Sequence, residues 1–357
     1  MLGVGVFTEV FLHLAARNGK IPFLTVKQTT DTMISPLLLA IIFVIVGLVL
    51  LIWSADRFVF GASSVARNSG VSPMIIGLTI VAMGSSAPEM LVSATAAAQG
   101  RLDTSVGNAL GSNITNILMV IGVIALFKPI TVASLTLKRE FPLMLFFTFV
   151  GYYFLSDHNL TRAEGIILLI AFFSFISLLV YWGKHASPTD PLISEIESEI
   201  PPPTSTLKAV FWVIAGLVLL LASSQLLVQG AVTIARYAGM SDLIIGLTII
   251  AIGTSLPELA ASVIGVLKGE DDLALGNIIG SNIFNILAVL GLGAVIGPST
   301  LDVNAGTRDS YVMIAAAFAL LLMSIRIGKQ QRINRLEGGL LLSGFIGYQY
   351  LLFTHLA

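Results

Sequence analysis

The chain of 357 residues contains no cysteine, which excludes disulfides, thiolate metal sites, iron–sulfur clusters and a cysteine nucleophile. Charge is also scarce: Asp, Glu, Lys and Arg make up 11% of the residues, where a soluble domain carries about 25%. A soluble globular protein is thereby excluded. The 19 basic and 20 acidic residues leave a net charge of -1. No basic surplus exists to hold a polyanion in salt, so nucleic acid is not an expected partner. Only four histidines occur, His13, His158, His185 and His355. Each falls in a polar segment or near a terminus, which argues against haem ligation or a histidine-based catalytic dyad.

What is abundant is apolar. Hydrophobic residues make up 56% of the chain, which also has 33 glycines and 13 prolines, and the mean hydropathy is +0.94. That mixture suits packed membrane helices, where close backbone approach and deliberate helix breaks are tolerated. A helix crossing about 30 Å of hydrocarbon needs roughly 20 mainly apolar residues. Ten segments qualify, at 35–53, 74–99, 106–127, 139–156, 163–183, 208–230, 243–267, 275–297, 310–326 and 337–355. The expectation is an all-α polytopic membrane protein. Twelve Lys and Arg lie on the side of the 1–2, 3–4, 5–6, 7–8 and 9–10 connections and seven on the other. The richer side is expected to be cytoplasmic, with both termini outside.

Residues 1–33 are an N-terminal tail of no assigned role. Their apolar stretch near Val10 precedes the positive charges and no small-residue cleavage site follows, so they do not read as a signal peptide, and Met33 offers an alternative start. Residues 184–207, with Glu195, Glu197, Glu199 and Pro201-Pro202-Pro203, are expected to be a flexible acidic cytoplasmic linker.

A shift of 169 residues aligns Gly77–Gly122 with Gly246–Gly291, and 23 of the 46 positions are identical without a gap. At the same offset Gly47-Leu48-Val49-Leu50-Leu51 recurs as Gly216-Leu217-Val218-Leu219-Leu220, and Arg139-Glu140 as Arg308-Asp309. The chain thus divides into a five-helix repeat at 34–183 and a second at 208–357. Because five is odd, the second enters the membrane from the opposite side. Inverted-topology repeats are the mark of secondary transporters, whose site lies at mid-membrane where broken helices meet.

The densest polar cluster is Gly84-Ser85-Ser86-Ala87-Pro88-Glu89, matched by Gly253-Thr254-Ser255-Leu256-Pro257-Glu258. Each puts a carboxylate in the middle of an apolar span. A charge at the bilayer centre costs at least about 2.5–3.5 kcal/mol, and two facing carboxylates add repulsion unless cations or protons neutralise them. Pro88 and Pro257 lack an N–H, so carbonyls near Gly84 and Gly253 are released from the helix ladder as hard oxygen ligands. A second element, Gly107-Asn108-x-x-Gly111-Ser112-Asn113-x-x-Asn116, recurs as Gly276-Asn277-x-x-Gly280-Ser281-Asn282-x-x-Asn285. Positions 108, 112 and 116 form one polar stripe. With carboxylates, hydroxyls, amides and carbonyls but no imidazole or thiolate, the inventory favours hard cations, Ca2+ above all, with Na+ suited to hydroxyl and carbonyl sites.

Other polar residues have plainer readings. Ser93 and Ser262 are expected to satisfy nearby carbonyls. Asn113 and Asn282 point roughly 100° off the serine stripe and are expected to hydrogen-bond between helices. Asp103 reads as a solvated helix cap, Asp56 as an interfacial residue just past a span end, and Arg139-Glu140 and Arg308-Asp309 as interfacial anchors or ion pairs. An intramembrane enzyme is disfavoured because no His, Cys or Lys lies near the polar cluster. A channel is disfavoured by the inverted repeat with broken helices.

The paired Gly-Ser/Thr-Ser-x-Pro-Glu and Gly-Asn-x-x-Gly-Ser-Asn-x-x-Asn motifs closely resemble the alpha-repeats of the calcium/cation antiporter superfamily, specifically prokaryotic sodium/calcium exchanger-like proteins. The resemblance spans about residues 34–357. It implies the sodium/calcium exchanger fold, a prokaryotic inner (plasma) membrane, and exchange of Ca2+ for Na+ by alternating access, with H+/Ca2+ exchange on the same fold as the alternative. No cofactor is implied, Ca2+ and Na+ being the transported substrates, and a monomer is expected. The resemblance further implies a central Ca2+ site of Glu89, Glu258 and the carbonyls of Ser85 and Thr254. Its flanking Na+ positions imply the Ala82 and Ala251 carbonyls and the side chains of Ser86, Ser255, Ser112 and Ser281, with Asn116 and Asn285 lining the middle. Two helices, those carrying the Gly-Leu-Val-Leu-Leu repeat, would slide past a core of eight. Several family members carry Asp at the position of Asn285, so this site is one potential negative charge poorer.

Overall fold

Leu, Ile and Val broken by small residues give Pro36–Asn68 the makings of one uninterrupted helix, and it forms a single α1 of 33 residues. The computed structural model describes residues 36–71, 76, 79–80, 82–132, 136–185, 204–268, 271–325 and 331–354. The expected tail at 1–33 and most of the expected linker at 184–207 lie outside the described residues. Leu37–Ala357 form one unit.

After α1 the chain runs through a short helix α2 (Ala82–Gly84) into α3 (Ala87–Ala98) and α4 (Leu102–Ile114). A π-helical stretch (Thr115–Ile121) joins α4 to α5 (Gly122–Phe127), and another (Thr136–Glu140) leads into α6 (Phe141–Leu155), followed by α7 (Arg162–His185). The second long helix, α8 (Thr206–Ala238), precedes α9 (Asp242–Ile245), a π stretch (Gly246–Ile250), α10 (Ala251–Thr254) and α11 (Leu256–Lys268). Then come α12 (Asp271–Phe284), a π stretch (Asn285–Leu290) and α13 (Gly291–Ile296). A last π stretch (Ala305–Asp309), α14 (Ser310–Ser324) and α15 (Arg335–Thr354) complete the order. Seven helical segments among the described residues are long and apolar enough to cross a membrane.

Among the described residues the fold is helical apart from two antiparallel pairings of two residues each, which periodicity in the sequence does not reveal. Ile130–Thr131 (β1) pairs with Arg332–Ile333 (β4), and Asn159–Leu160 (β2) pairs with Ser299–Thr300 (β3).

Two expected boundaries are corrected. The first and sixth segments, placed at 35–53 and 208–230, extend to Asn68 and Ala238. Counting apolar residues stops at the first charges, but Ala, Val, Phe and Arg continue a helix without difficulty. Asp56 and Arg57 therefore sit inside α1 rather than in a loop after it. Arg57 lies over the rings of Trp53 and Trp212, 5.9 and 5.6 Å from their centroids, and pairs with Asp56 at 3.4 Å.

Burial separates the helices into two kinds. In Leu102–Phe127 and Ala274–Ile296 the most apolar window is 78% and 83% buried, against 22% in Pro36–Asn68 and 28% in Thr206–Ala238. The first pair is the centre of the hydrophobic core, and α1 and α8 are peripheral. These two pack directly on each other through glycines. A Cβ on Gly61 would lie 2.6 Å from the Val213 nitrogen, and one on Gly230 2.7 Å from the Ala40 carbonyl oxygen, separations no real side chain tolerates.

Candidate cation site

Each proline-containing motif interrupts its helix. Ser86 (φ −88°, ψ 5°) ends the turn before α3, which begins at Ala87 with Pro88 in its first turn. Ser255 (φ −82°, ψ 2°) separates α10 from α11 in the same way. Both serines occupy the sparsely allowed bridge region that active sites often use. Proline in the first helical turn is pre-organised and gives up only an N–H that no helix bond needs. One residue further on, Glu89 and Glu258 each project from the first turn of a helix, where the aligned peptide dipoles favour a negative charge.

The two carboxylates come together. Glu89 and Glu258 are both 1% exposed, and they are close enough to interact electrostatically. Ser86, Thr254, Ser255, Ser112, Ser281, Asn116 and Asn285 are buried with them, while Ser85 is half-buried. Ala82 and Ala251 begin the short helices α2 and α10. Ser281 Oγ donates to Glu258 Oε1 at 3.4 Å, and Ser86 Oγ lies 3.5 Å from Ser281 Oγ. These contacts put α3, α11 and α12 around one cage.

What the cage lacks defines its chemistry. Glu89 Oε2, Glu258 Oε2, Ser112 Oγ, Ser255 Oγ, Asn116 Oδ1 and Asn285 Oδ1 are buried with no hydrogen-bond partner among the described residues. A buried polar atom left unpaired costs about 1–3 kcal/mol, and more if it is charged. All six are oxygens, and all belong to residues the sequence motifs single out. An arrangement of unmatched acceptors around two carboxylates asks for cations.

The asparagines divide the work. Asn116 Nδ2 donates to Asn282 Oδ1 at 3.2 Å, and Asn285 Nδ2 to Asn113 Oδ1 at 3.0 Å. Each bond joins one half of the chain to the other and leaves the donor's own Oδ1 free. Asn113 and Asn282 are in turn held against Met313 and Met144 sulfur, at 3.5 and 3.9 Å. Their expected role in bonding between helices is what they perform. Ser93 and Ser262 reach the carbonyls of Ser105 and Ala274 at 3.3 and 3.4 Å, again as expected.

Three sets of bonds are not announced by the motifs, although Asn108 itself lies on the expected polar stripe. Asn108 Nδ2 donates to the Glu89 carbonyl (3.1 Å) and to Ser93 Oγ (2.9 Å), while its Oδ1 accepts from Thr254 Oγ1 (3.3 Å). Arg101 forms a two-pronged ion pair with Asp242 at 2.8 and 3.1 Å. Tyr348 donates to Asp309, which is fully buried and also bound by Arg308. The solvated-cap expectation for Asp103 is corrected: it lies in the first turn of α4, whose cap position is Arg101, and it accepts from the Asp302 N–H at 2.8 Å.

A buried, acceptor-lined cage between helices from both halves of the chain defines a membrane protein that carries cations. Sequence comparison gives the family. The chain matches the sodium/calcium exchanger protein family twice, over residues 39–181 and 208–354, and belongs to it. It is therefore a secondary cation antiporter of the prokaryotic calcium/cation type and not an enzyme. Among its relatives is the protein named "Putative antiporter CaxA" of Alkalimonas amylolytica, 72% identical over 89% of this chain and 100% of that protein. The inner membrane protein YrbG of Escherichia coli is 43% identical over 89% and 98%. The sodium/calcium exchanger MaX1 of Methanosarcina acetivorans is 31% identical over 87% and 97%. A structure of the sodium-calcium exchanger NCX_Mj soaked with Na+ and Sr2+ is 31% identical and covers 87% of this chain and 97% of that one, with a TM-score of 0.57.

Proposed function

We propose that the protein exchanges Ca2+ for Na+ across the membrane by alternating access. The observation that carries this reading is the set of six partnerless buried oxygens around Glu89 and Glu258. Ca2+ takes six to eight oxygen ligands at about 2.3–2.6 Å and accepts carboxylates in either one- or two-oxygen fashion. Glu89, Glu258 and the Ser85 and Thr254 carbonyls form its central site. The Ala82 and Ala251 carbonyls, with Ser86, Ser255, Ser112 and Ser281, form the flanking Na+ positions, and Asn116 and Asn285 line the middle.

The reading extends to the architecture. Residues 34–183 and 208–357 are two inverted five-helix repeats that give ten transmembrane helices. The linker at 184–207 is cytoplasmic, both termini are outside, and the protein is a monomer in the inner membrane. The tail at 1–33 is assigned no role. Support for the repeat comes from contacts that recur at the same offset, such as Asn116–Asn282 and Asn285–Asn113, and from the two separate family matches. The peripheral α1 and α8, joined through glycine, are the moving pair, and the buried helices around the cage are the fixed body.

Coupling follows from the electrostatics. An empty cage holds two uncompensated carboxylates in a low-dielectric site, and carrying it through an occluded state costs several kcal/mol. Loading with either Ca2+ or Na+ removes that cost, so the protein changes face when loaded and rests when empty. The test is uptake of radiolabelled Ca2+ into proteoliposomes preloaded with Na+, with equal-Na+ and pH-jump controls. Uptake that needs the Na+ gradient and is abolished by Glu89→Gln or Glu258→Gln supports the reading. Uptake driven only by a pH gradient assigns H+ as the counter-ion, and full uptake in the variants removes the site.

A further inference from the structure

The helices α1 and α8 cross under a two-fold relation that their glycines record. A Cβ on Gly61 would fall 2.6 Å from the Val213 nitrogen, and one on its counterpart Gly230 would fall 2.9 Å from the nitrogen of Val44, the counterpart of Val213. Gly47 against Leu227 and Gly216 against Phe58 repeat the relation, at 2.7 and 2.8 Å from the backbone nitrogens. The backbones therefore approach equally at both ends of the pair.

The side chains do not. At the end where α1 finishes and α8 begins, the Arg57 guanidinium lies 5.9 Å from the Trp53 ring centre and 5.6 Å from that of Trp212, and the two rings meet edge to face at 5.9 Å. Its Nε is buried with no hydrogen-bond partner among the described residues, so ring faces rather than acceptors hold that part of the group. Asn68, nearer the end of α1, adds bonds to the Thr204 carbonyl and the Thr206 hydroxyl at 3.0 and 3.1 Å. At the other end the counterparts are Leu226 for Arg57, Ala222 for Trp53, Phe43 for Trp212 and Tyr237 for Asn68. Those residues offer neither a charge nor an indole.

Depth follows from length. The 20 residues Pro36–Ala55 carry no charge and make about 30 Å of helix, which matches the hydrocarbon thickness. Asp56 and Arg57 come next. On α8, Trp212 stands four residues after Lys208 and six after the first residue of the helix. The guanidinium and both indoles thus reach the boundary between hydrocarbon and headgroups, where tryptophan collects and a long basic side chain can keep its charge in water.

We propose that Arg57, stacked between Trp53 and Trp212, is a positioning residue that anchors one end of the α1–α8 pair at the lipid headgroups. A slide of the pair toward the membrane centre draws into hydrocarbon a charge that cannot be shed, and is resisted. A slide the other way lifts two indoles out of the interface. The opposite end, with Leu226, Ala222 and Phe43, meets no such resistance. The anchor sets where the pair rests, and so which face of the membrane the cage meets when no gradient acts. The inference rests on the reading of α1 and α8 as the moving pair and gives that motion a contact with lipid.

The chain's three tryptophans supply the probe. In a Trp182→Phe background, indole emission comes from Trp53 and Trp212 alone, and Phe retains a ring for Arg139, which lies 4.8 Å from the Trp182 ring centre. Quenching by phosphatidylcholines brominated near the headgroup or near the chain ends then reports depth in the full-length protein in bilayers. With Arg57 present, the shallow bromines are expected to quench more strongly. Arg57→Leu is expected to raise deep relative to shallow quenching about twofold or more, and Arg57→Lys, which keeps a charge able to reach the headgroups, to restore the ratio. Arg57→Gln decides the matter if Arg57→Leu does not fold. Deep quenching that dominates with Arg57 present, or a ratio unchanged in the Leu and Gln variants, overturns the anchor. Exchange gives the second readout. Na+-driven Ca2+ uptake is expected to change severalfold between bilayers of short and long acyl chains, and in Arg57→Leu to change about half as much or less. Equal dependence on chain length in the two proteins overturns the positioning role. A shift in depth without Na+-driven uptake by the parent removes the exchange reading and leaves the anchor standing.

Discussion

Asp309 shows how closely single residues are accounted for away from the cage. It is fully buried, bound by Arg308 at 2.7 and 3.0 Å and by the Tyr348 hydroxyl at 2.9 Å. Tyr348→Phe removes one bond to a buried charge and should cost about 1.5–3 kcal/mol. Arg308→Gln leaves the carboxylate uncompensated and should cost about 3–5 kcal/mol. Both appear as lowered thermal midpoints, and neither should alter Ca2+ affinity, because neither residue contributes to the cage. Arg308 and Asp309 are adjacent and their pairing was legible in the sequence. Tyr348 was not, since it lies 39 residues away and nothing local marks it. The cage residues were legible for a different reason. Glu89 and Glu258 break the rule that charges avoid apolar spans, and they do so twice at one spacing. The same logic predicts that Asn113→Ala should impair exchange without removing a ligand, because the Asn285 amide loses the bond that aims its free oxygen. Ca2+ binding isotherms should show weakened affinity with capacity retained.

Among elements, α1 and α8 depart most from what the sequence suggests. Their cores were recognisable as apolar runs, but the helices continue 15 residues past 53 and 8 past 230, to Asn68 and Ala238. Hydropathy measures what lipid accepts, whereas the length of a helix is set by backbone bonding and by what covers each face. At about 1.5 Å per residue, 33 residues span roughly 50 Å, so these helices outrun the hydrocarbon or cross it at a tilt. The glycines between them are testable. Gly61→Ala forces a Cβ into the Val213 backbone, 2.6 Å away, and should separate the pair. Exchange should slow severalfold while equilibrium Ca2+ binding stays close to that of the parent, since no cage residue is touched. Gly347→Ala on α15 is the matched control. Nothing lies within 4 Å of its Cβ among the described residues, and replacing a helical glycine should stabilise the protein by about 0.5–1 kcal/mol.

At the scale of the whole molecule, the duplication was readable from identities at one offset, but the way the halves join was not. The halves meet through β1–β4, β2–β3, the asparagine bonds and the Arg101–Asp242 pair. Each of these links residues well over 100 positions apart, and no local pattern announces them. Because the joins are so numerous, a chain severed within 186–203 and expressed as two pieces should assemble. The pieces should co-purify in detergent, and neither alone should bind Ca2+, since Glu89 lies on one and Glu258 on the other.

The two asparagine bonds follow the rule of an isologous contact: residue 113 meets 285, and its counterpart 282 meets 116. Such reciprocity is what a two-fold homodimer makes without effort, because one surface patch serves both partners. A single-repeat ancestor inserted in both orientations could thus have built the same pair of bonds from one gene. Fusion then freed each copy to diverge. The Arg101–Asp242 pair, which the other copy cannot reproduce with Glu270 and Pro73, breaks that reciprocity.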